Sequence, residues 1–326
     1  MEACHSPQQS NVTTYGDATL AIISLEAFAG MWINAFMVCV LCIGWVNKKT
    51  LNSNEKILLL LGCSRISFLS FSWGYNFLYI IYPNYLHVHI ILQLLASFQT
   101  FFNYSNLCIS ACLCVFYCIK IANFRNSFFI YLKVKIDRMV PWLLLGSGIL
   151  ALAMGIITYE LTETMQRNNL HETLQSNNLN FTCLRNFWEA SIKMDKHFFP
   201  SFFFIGLGYA ASFMAVIFAA VSLLFSLWKH KCKMQTNSMK DLSMEAHIRA
   251  MKTVLSFLVM YSINFVCLIM SIIYTMMNEN TMTLLISIYV YAFPGVHSLI
   301  LIFSNPKLEK ALLKILSCVK CGFFMK

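Results

Sequence analysis

Long, almost uninterrupted apolar runs alternate along this chain with short polar connections, and most of those connections are basic. The runs cover roughly 18–46, 55–82, 87–119, 139–159, 198–228, 248–276 and 282–304. Each reaches the ~20 residues that a helix needs to cross a bilayer. The pattern predicts an all-α bundle of seven transmembrane helices in one domain over residues 1–326, with residues 305–326 as a cytoplasmic tail. No polar domain interrupts it.

Composition narrows the class. Hydrophobic residues make up 58% of the 326 and charged residues 12%, about half the charged share of a soluble globular protein. No soluble fold of this length could hide so much apolar side chain, which excludes soluble multi-domain enzymes. Residues 1–17 are polar, with Pro7 and Asn11, and lack the basic start and short apolar run of a cleavable signal peptide. The first apolar helix is expected to act as the targeting signal itself.

The positive charges orient the bundle. With the N-terminus outside, the inner segments hold nineteen of the 24 Lys and Arg residues, among them Lys120, Lys133, Lys135, Lys231, Lys233, Lys307 and Lys310. The outer segments hold only Arg167, Arg185, Lys193 and Lys196, and Arg65 falls inside span two. Basic residues next to spans stay on the cytoplasmic side, so the chain reads N-out and C-in. The net charge of +10 is then the sum of this bias. It requires no nucleic-acid partner, and membrane lipid, anionic on the inner leaflet, is what it meets.

Two sequons agree with that orientation, Asn11-Val12-Thr13 in the N-terminal segment and Asn180-Phe181-Thr182 in the second outer loop, so Asn11 and Asn180 are candidate glycosylation sites. A third match, Asn103-Tyr104-Ser105, lies inside span three, beyond the transferase's reach. Of the thirteen Cys, only Cys4 and Cys183 fall in oxidising outer segments, where a bridge between them and two free thiols both stay open. Cys318 and Cys321 in the basic tail read as lipidation sites or as free thiols.

A charge in hydrocarbon costs a few kcal/mol on the mildest scale, so each one demands a partner or a role. Arg65 lies near the middle of span two and Glu26 in the outer half of span one. Asn34 on span one and His297-Ser298 on span seven sit at depths that meet Arg65, which predicts a buried polar cluster toward the cytoplasmic half. Such a cluster reads either as glue between helices or as a latch that rearranges. On span three, Gln99, Asn103, Asn106 and Ser110 recur at helical spacing on one face. Gln99 and Asn103, in the outer half, suit a ligand cavity open to the outside. Ser110 and Asn106 lie deeper, where interhelical hydrogen bonds compete with ligand contact. Trp73, Phe102, Tyr261 and Tyr291, with Ser287 and Asn264, complete the candidate ligand residues in an otherwise apolar pocket.

No catalytic, cofactor or metal signature survives inspection: the chain has no Walker loop, GxGxxG, HExxH or GxSxG. His87 and His89 are two His at a spacing that makes a weak metal site. The expectation is a chain that is not an enzyme and carries no cofactor.

Several motifs stand in order along the chain. Span three ends Ala111-Cys112-Leu113-Cys114-Val115-Phe116-Tyr117-Cys118-Ile119-Lys120-Ile121-Ala122-Asn123-Phe124, followed by Phe128-Phe129-Ile130-Tyr131-Leu132-Lys133. Asn34 lies in span one, Ser64-Arg65-Ile66 in span two, and Ala246-His247 with Ala250-Met251-Lys252 at the entry to span six. Ser256-Phe257-Leu258, Phe293-Pro294-Gly295-Val296-His297-Ser298, Asn305 and Lys307-Leu308 follow. Together they resemble the bitter taste receptors, the type 2 taste receptor family of G-protein-coupled receptors, over all but the extreme termini.

The resemblance implies a rhodopsin-like architecture in the plasma membrane. It also implies small bitter agonists in an outer-half pocket among spans two, three, five, six and seven, and coupling to an inhibitory-class, gustducin-type heterotrimeric G protein. Tyr117, Lys120 and His247 at the inner ends of spans three and six, with Asn34, Arg65, Pro294, His297 and Ser298, are then the activation and coupling candidates. Some positions depart from the family pattern. Gln99 stands where many members carry Trp and Asn264 where an aromatic is frequent, both of which make the pocket more polar; Phe293 in place of a common Tyr is a milder change. The outer end of span three, from Leu86 to Phe98, has no Cys, so the usual tie between span three and the second outer loop of rhodopsin-like receptors is missing. The vomeronasal pheromone receptors share the span-six entry but fit the motifs of spans three and seven less well. A membrane transporter is the alternative of another class, distinguished by steady uptake without nucleotide exchange on a G protein.

Overall fold

Backbone N–H and C=O groups in hydrocarbon find no water, so a spanning segment must satisfy them within itself, and the helix is the solution this chain adopts. The structure, a computed structural model, describes residues 8–81, 89–121, 127–175, 199–236, 255–270 and 280–324. Its elements are α1 (Gln8–Lys48), α2 (Ser53–Ile81), α3 (His89–Ile121), α4 (Ser127–Gln175), α5 (Phe199–Thr236), α6 (Leu255–Met270), α7 (Asn280–Ser304) and α8 (Pro306–Phe324). Helices α1 to α7 form the transmembrane bundle, and α8 follows it at the inner face. Six of the seven carry an apolar stretch long enough to span on their described residues alone. For α6 the expected run 248–276 continues at both ends outside them.

Several helices outrun the apolar runs that predict them. The α4 helix begins in the basic stretch and ends in the polar segment at Gln175, far beyond the expected 139–159. At 1.5 Å per residue it is roughly 70 Å long, more than twice the ~30 Å hydrocarbon thickness, so both ends project into water. The α1 helix likewise starts at Gln8 rather than near 18. Apolar content marks where a helix crosses lipid; capping decides where it stops. Lys49 adopts the left-handed conformation (φ 55°) that closes α1. Asn52 then opens α2 as an N-cap whose N–H donates to Glu55 Oε2 at 3.1 Å, the return half of a capping box. The residues expected only as a tail form α8, which starts with Asn305 Oδ1 accepting from the Lys307 N–H (3.0 Å) and Pro306 at the first helical position.

Helix α3 is the most buried span and packs against α2, α4 and α5. An inner apolar cluster joins Met37, Leu41, Leu58, Leu61, Leu113 and Leu301. A second runs between α3, α5, α6 and α7 through Tyr104, Tyr209, Val216, Tyr261 and Phe293, with Phe213 of α5 stacked on Phe265 of α6 at 4.1 Å. Helices α1 and α7 meet where small residues let their backbones approach. A Cβ on Gly295 would lie 3.2 Å from the Gly30 Cα, and one on Gly30 would lie 2.8 Å from Leu69 Cδ1. Without a hydrophobic force between helices in lipid, such close packing is a main source of association.

Gly295→Leu is therefore expected to separate α1 from α7 and lower the thermal stability of the purified receptor, by about 1–3 kcal/mol as overpacking does. Gly74→Ala, where an added Cβ meets nothing within 4 Å, should leave the melting temperature unchanged or raise it. Equal melting temperatures for Gly295→Leu and the unaltered chain would contradict this packing.

Candidate functional site

Arg65 is fully buried, and the bundle is arranged around its guanidinium. Its Nε donates to Asn106 Oδ1 on α3 at 2.9 Å, its Nη1 to Ser298 Oγ on α7 at 2.5 Å and its Nη2 to Ser110 Oγ on α3 at 3.5 Å. Nη2 also meets His297 Nδ1. A guanidinium only donates, so this nitrogen accepts and the ring proton sits on Nε2 in a neutral imidazole. Ser298 passes the network on, donating to Asn34 Oδ1 at 2.7 Å, and the Asn34 amide donates to the Gly30 carbonyl at 2.8 Å. Four helices, α1, α2, α3 and α7, are thus tied at one point. Hydrogen bonds to a charged group contribute about 1.5–3 kcal/mol each, and hydrocarbon offers the guanidinium no competing water.

Immediately outward of Arg65 lies a small cavity. Phe68 of α2, Asn103, Asn106 and Leu107 of α3, Tyr261, Asn264 and Leu268 of α6, and Val290, Phe293 and Pro294 of α7 line it. Three amides and a phenol face an otherwise apolar wall, and Pro294 adds a further polar group. Proline has no N–H, so the Val290 carbonyl one turn earlier loses its helical partner beside the cavity. Asn103 is held in place by α5, its amide donating to the Tyr209 hydroxyl at 2.7 Å. Tyr209 in turn packs on Tyr104 at 4.5 Å, against Gly208. Asn106 belongs to both places: its side chain lines the cavity while its Oδ1 accepts from Arg65.

Of the ligand candidates, Asn103, Asn106, Tyr261 and Asn264 line this cavity, whereas Gln99, Phe102, Trp73, Ser287 and Tyr291 do not. Trp73 donates from Nε1 to Ser24 Oγ at 2.9 Å and packs on Phe28 between α1 and α2. The Tyr291 hydroxyl accepts from the Asn76 amide at 2.5 Å, and Phe102 stacks on Phe71. These aromatics build the outer wall of the bundle around Ile23, Ala27 and Leu69. Phe68, Leu107, Leu268 and Val290 of the lining escaped the sequence reading, because an apolar side chain facing a cavity looks like one facing lipid. Tyr209 was missed as well, and its one signal was a phenol placed on an apolar span.

From the cavity wall an aromatic column leads inward past Arg65. His297 packs edge-on to Phe257 at 4.5 Å and to Tyr261 at 5.6 Å, and Tyr261 meets Phe293 at 5.6 Å. At the inner end Tyr117 is half-buried beside Phe116 and touches both the inner and the central apolar clusters. Lys120 donates to Asp137 at 2.5 Å, bridging α3 and α4, but both side chains are nearly half exposed (44% and 48%) and the pair adds little stability. Lys307 donates to Glu55 at 2.6 Å, with Glu55 only 12% exposed, and so clamps the start of α8 to α2. His247, Asn180, Cys4 and Cys183 lie outside the described residues, as do the side chains of Asn11, Cys318 and Cys321.

With this geometry in hand, the chain can be set beside known proteins. The family model described as Taste receptor protein (TAS2R) matches residues 12–320. The chain is 31% identical over 310 residues to taste receptor type 2 member 9 of Papio hamadryas, covering 94% of this chain and 95% of that one. Against member 9 of Homo sapiens the identity is 30% over 305 residues, covering 93% and 94%. Against taste receptor type 2 member 40 of Gallus gallus it is 31% over 312 residues, covering 92% and 96%.

Proposed function

The chain belongs to the taste receptor (TAS2R) family, the bitter-taste chemoreceptors that couple to G proteins, and from that premise we propose where and how it works. It resides in the plasma membrane and binds small bitter compounds in the cavity between α2, α3, α6 and α7, with α5 holding one wall. It passes the signal to an inhibitory-class, gustducin-type heterotrimeric G protein at its basic inner face, which rests on anionic lipid.

The observation that carries this reading is the make-up of the cavity. A largely apolar site with a few convergent polar groups is what small ligands use, and Asn103 and Asn264 supply those groups beside Tyr261; the space of about 10 Å³ between them holds one water, so an agonist enters by parting the helices that line it. The floor of the cavity is Asn106, which also receives a hydrogen bond from Arg65. An occupant that pulls on Asn106 acts on the joint that ties four helices. Receptor signalling needs two arrangements of a packed element with different affinity for the ligand. The Arg65 cluster, with Pro294 loosening α7 next to it, supplies such an element. In this reading the cluster is a latch as well as glue.

Asn103→Ala removes a cavity hydrogen bond of about 0.5–1.5 kcal/mol, so agonist curves should shift right by roughly 2- to 13-fold. The test is a calcium-response screen of a bitter-compound panel in cells carrying a promiscuous G protein, with surface expression matched. Unchanged potency for every active compound would remove the ligand from this cavity.

Tyr117 and His247 mark the inner ends where α3 and α6 must part to admit the G protein. Tyr117→Ala or His247→Ala is expected to change basal or maximal nucleotide exchange while leaving agonist affinity without G protein within about twofold, since Tyr117 does not line the cavity and His247 falls at the inner entry to span six. Normal basal and maximal exchange in both variants would place coupling elsewhere.

A further inference from the structure

Every group that receives a hydrogen bond from Arg65 is neutral: an amide, two hydroxyls and an imidazole. The ion pairs Lys120–Asp137 and Lys307–Glu55 involve other cations. Glu26, an acidic side chain in the outer half of α1, precedes Asn34 by more than two turns, roughly 12 Å along the axis, too far to pair with the guanidinium. An arginine does not shed its charge to escape burial. Among the described residues, then, the Arg65 charge at the centre of the bundle meets no acidic partner, and the cavity begins one side chain away from it.

The cavity matches that charge. Among the described residues no acidic side chain lines it. Tyr261 is 1% exposed and lines the cavity. With one lone pair of Oδ1 committed to Arg65, Asn106 offers an occupant its NH2 donors beside that oxygen. The lining otherwise offers acceptors as well as donors, among them its amide oxygens and the Val290 carbonyl freed by Pro294, so the sign preference of the site comes from the Arg65 charge.

We propose that this cavity selects agonists carrying an anionic group or strong acceptor, a carboxylate above all, and discriminates against protonated amines. The proposal rests on the reading that agonists bind in this cavity. A unit charge about 8 Å from the guanidinium, at an effective dielectric constant near 20, changes a binding constant by roughly 30-fold, upward for an anion and downward for a cation. Desolvation penalises both ions alike, so comparing an acid with an amine of the same size isolates the sign of the field.

The probes are 2-naphthoate, 2-naphthamide and 2-naphthylmethylammonium, applied to the full-length receptor. Binding is read by thermal shift of the purified protein and activation by the calcium response. The expected order is acid, amide, amine, with the acid at least about tenfold more potent than the amine. Asn106→Asp sets a carboxylate against Arg65, and Ser110→Asp does so from another side; either should bring the acid-to-amine ratio toward one. An amine as potent as the acid, silence of all three probes in both readouts, or an unchanged ratio in a surface-expressed Asn106→Asp receptor overturns the proposal. Failure of the underlying reading has a different signature: the acid-to-amine ratio holds, but Asn103→Ala leaves the potency of all three probes unchanged.

Discussion

A buried guanidinium that cannot lose its charge is the constraint on which this receptor depends. Arg65 must collect acceptors from wherever the bundle can supply them, and it takes them from α3 and α7 directly and from α1 through Ser298. The penalty for leaving such a charge bare in a low-dielectric interior far exceeds that for an unpaired neutral group. The four helices are therefore held in one register, and the Gly30–Gly295 approach lets α1 and α7 come close enough to share the network. All the acceptors being neutral, the cluster satisfies the hydrogen-bonding needs of Arg65 without cancelling its charge. That residual field is available to whatever occupies the neighbouring cavity.

The cavity and the cluster share a side chain, and this turns a structural joint into a candidate route for signalling. Asn106 cannot reorient toward an occupant without changing the bond it accepts from Arg65. Ser298 and His297 respond next, because both touch the same guanidinium. His297 is also the edge partner of Phe257 and Tyr261 on α6, so a shift there reaches the helix that must move at the inner face. Pro294 sits one turn outward of Ser298 and removes one backbone hydrogen bond from α7. Bending at that level is thereby made easier than elsewhere along the helix.

Much of this was legible in the sequence because the membrane makes polar residues conspicuous. The apolar runs gave the helices, the Lys and Arg asymmetry gave the orientation, and Arg65, Asn34, His297 and Ser298 stood out as polar groups at matching depth. The helix ends were less legible: α4 runs on to Gln175 because polar residues continue a helix in water as readily as apolar ones do in lipid. The tail's helix α8, capped by Asn305, shows no long apolar run and so escaped a reading tuned to spans. Within the site, Asn103, Asn106 and Asn264 were recognisable, but their facing partners were not. Trp73 and Tyr291 were assigned to the pocket on residue type, whereas Ser24 and Asn76 draw their polar atoms into contacts between helices. A side chain's direction on a fully apolar helix is set by its neighbours, and a single sequence does not encode which neighbours those are.

The central claim is that Arg65 is one node joining the cavity to α7, and a double-mutant cycle between Asn106 and Ser298 tests it most directly. Both residues bond the same guanidinium from different helices. Asn106→Ala, Ser298→Ala and the double variant would be compared for agonist-stimulated nucleotide exchange and for thermal stability of the purified receptor. The account predicts a coupling energy of at least about 0.5 kcal/mol in both readouts, as residues of one network show. Strict additivity, the behaviour of independent sites, would contradict it.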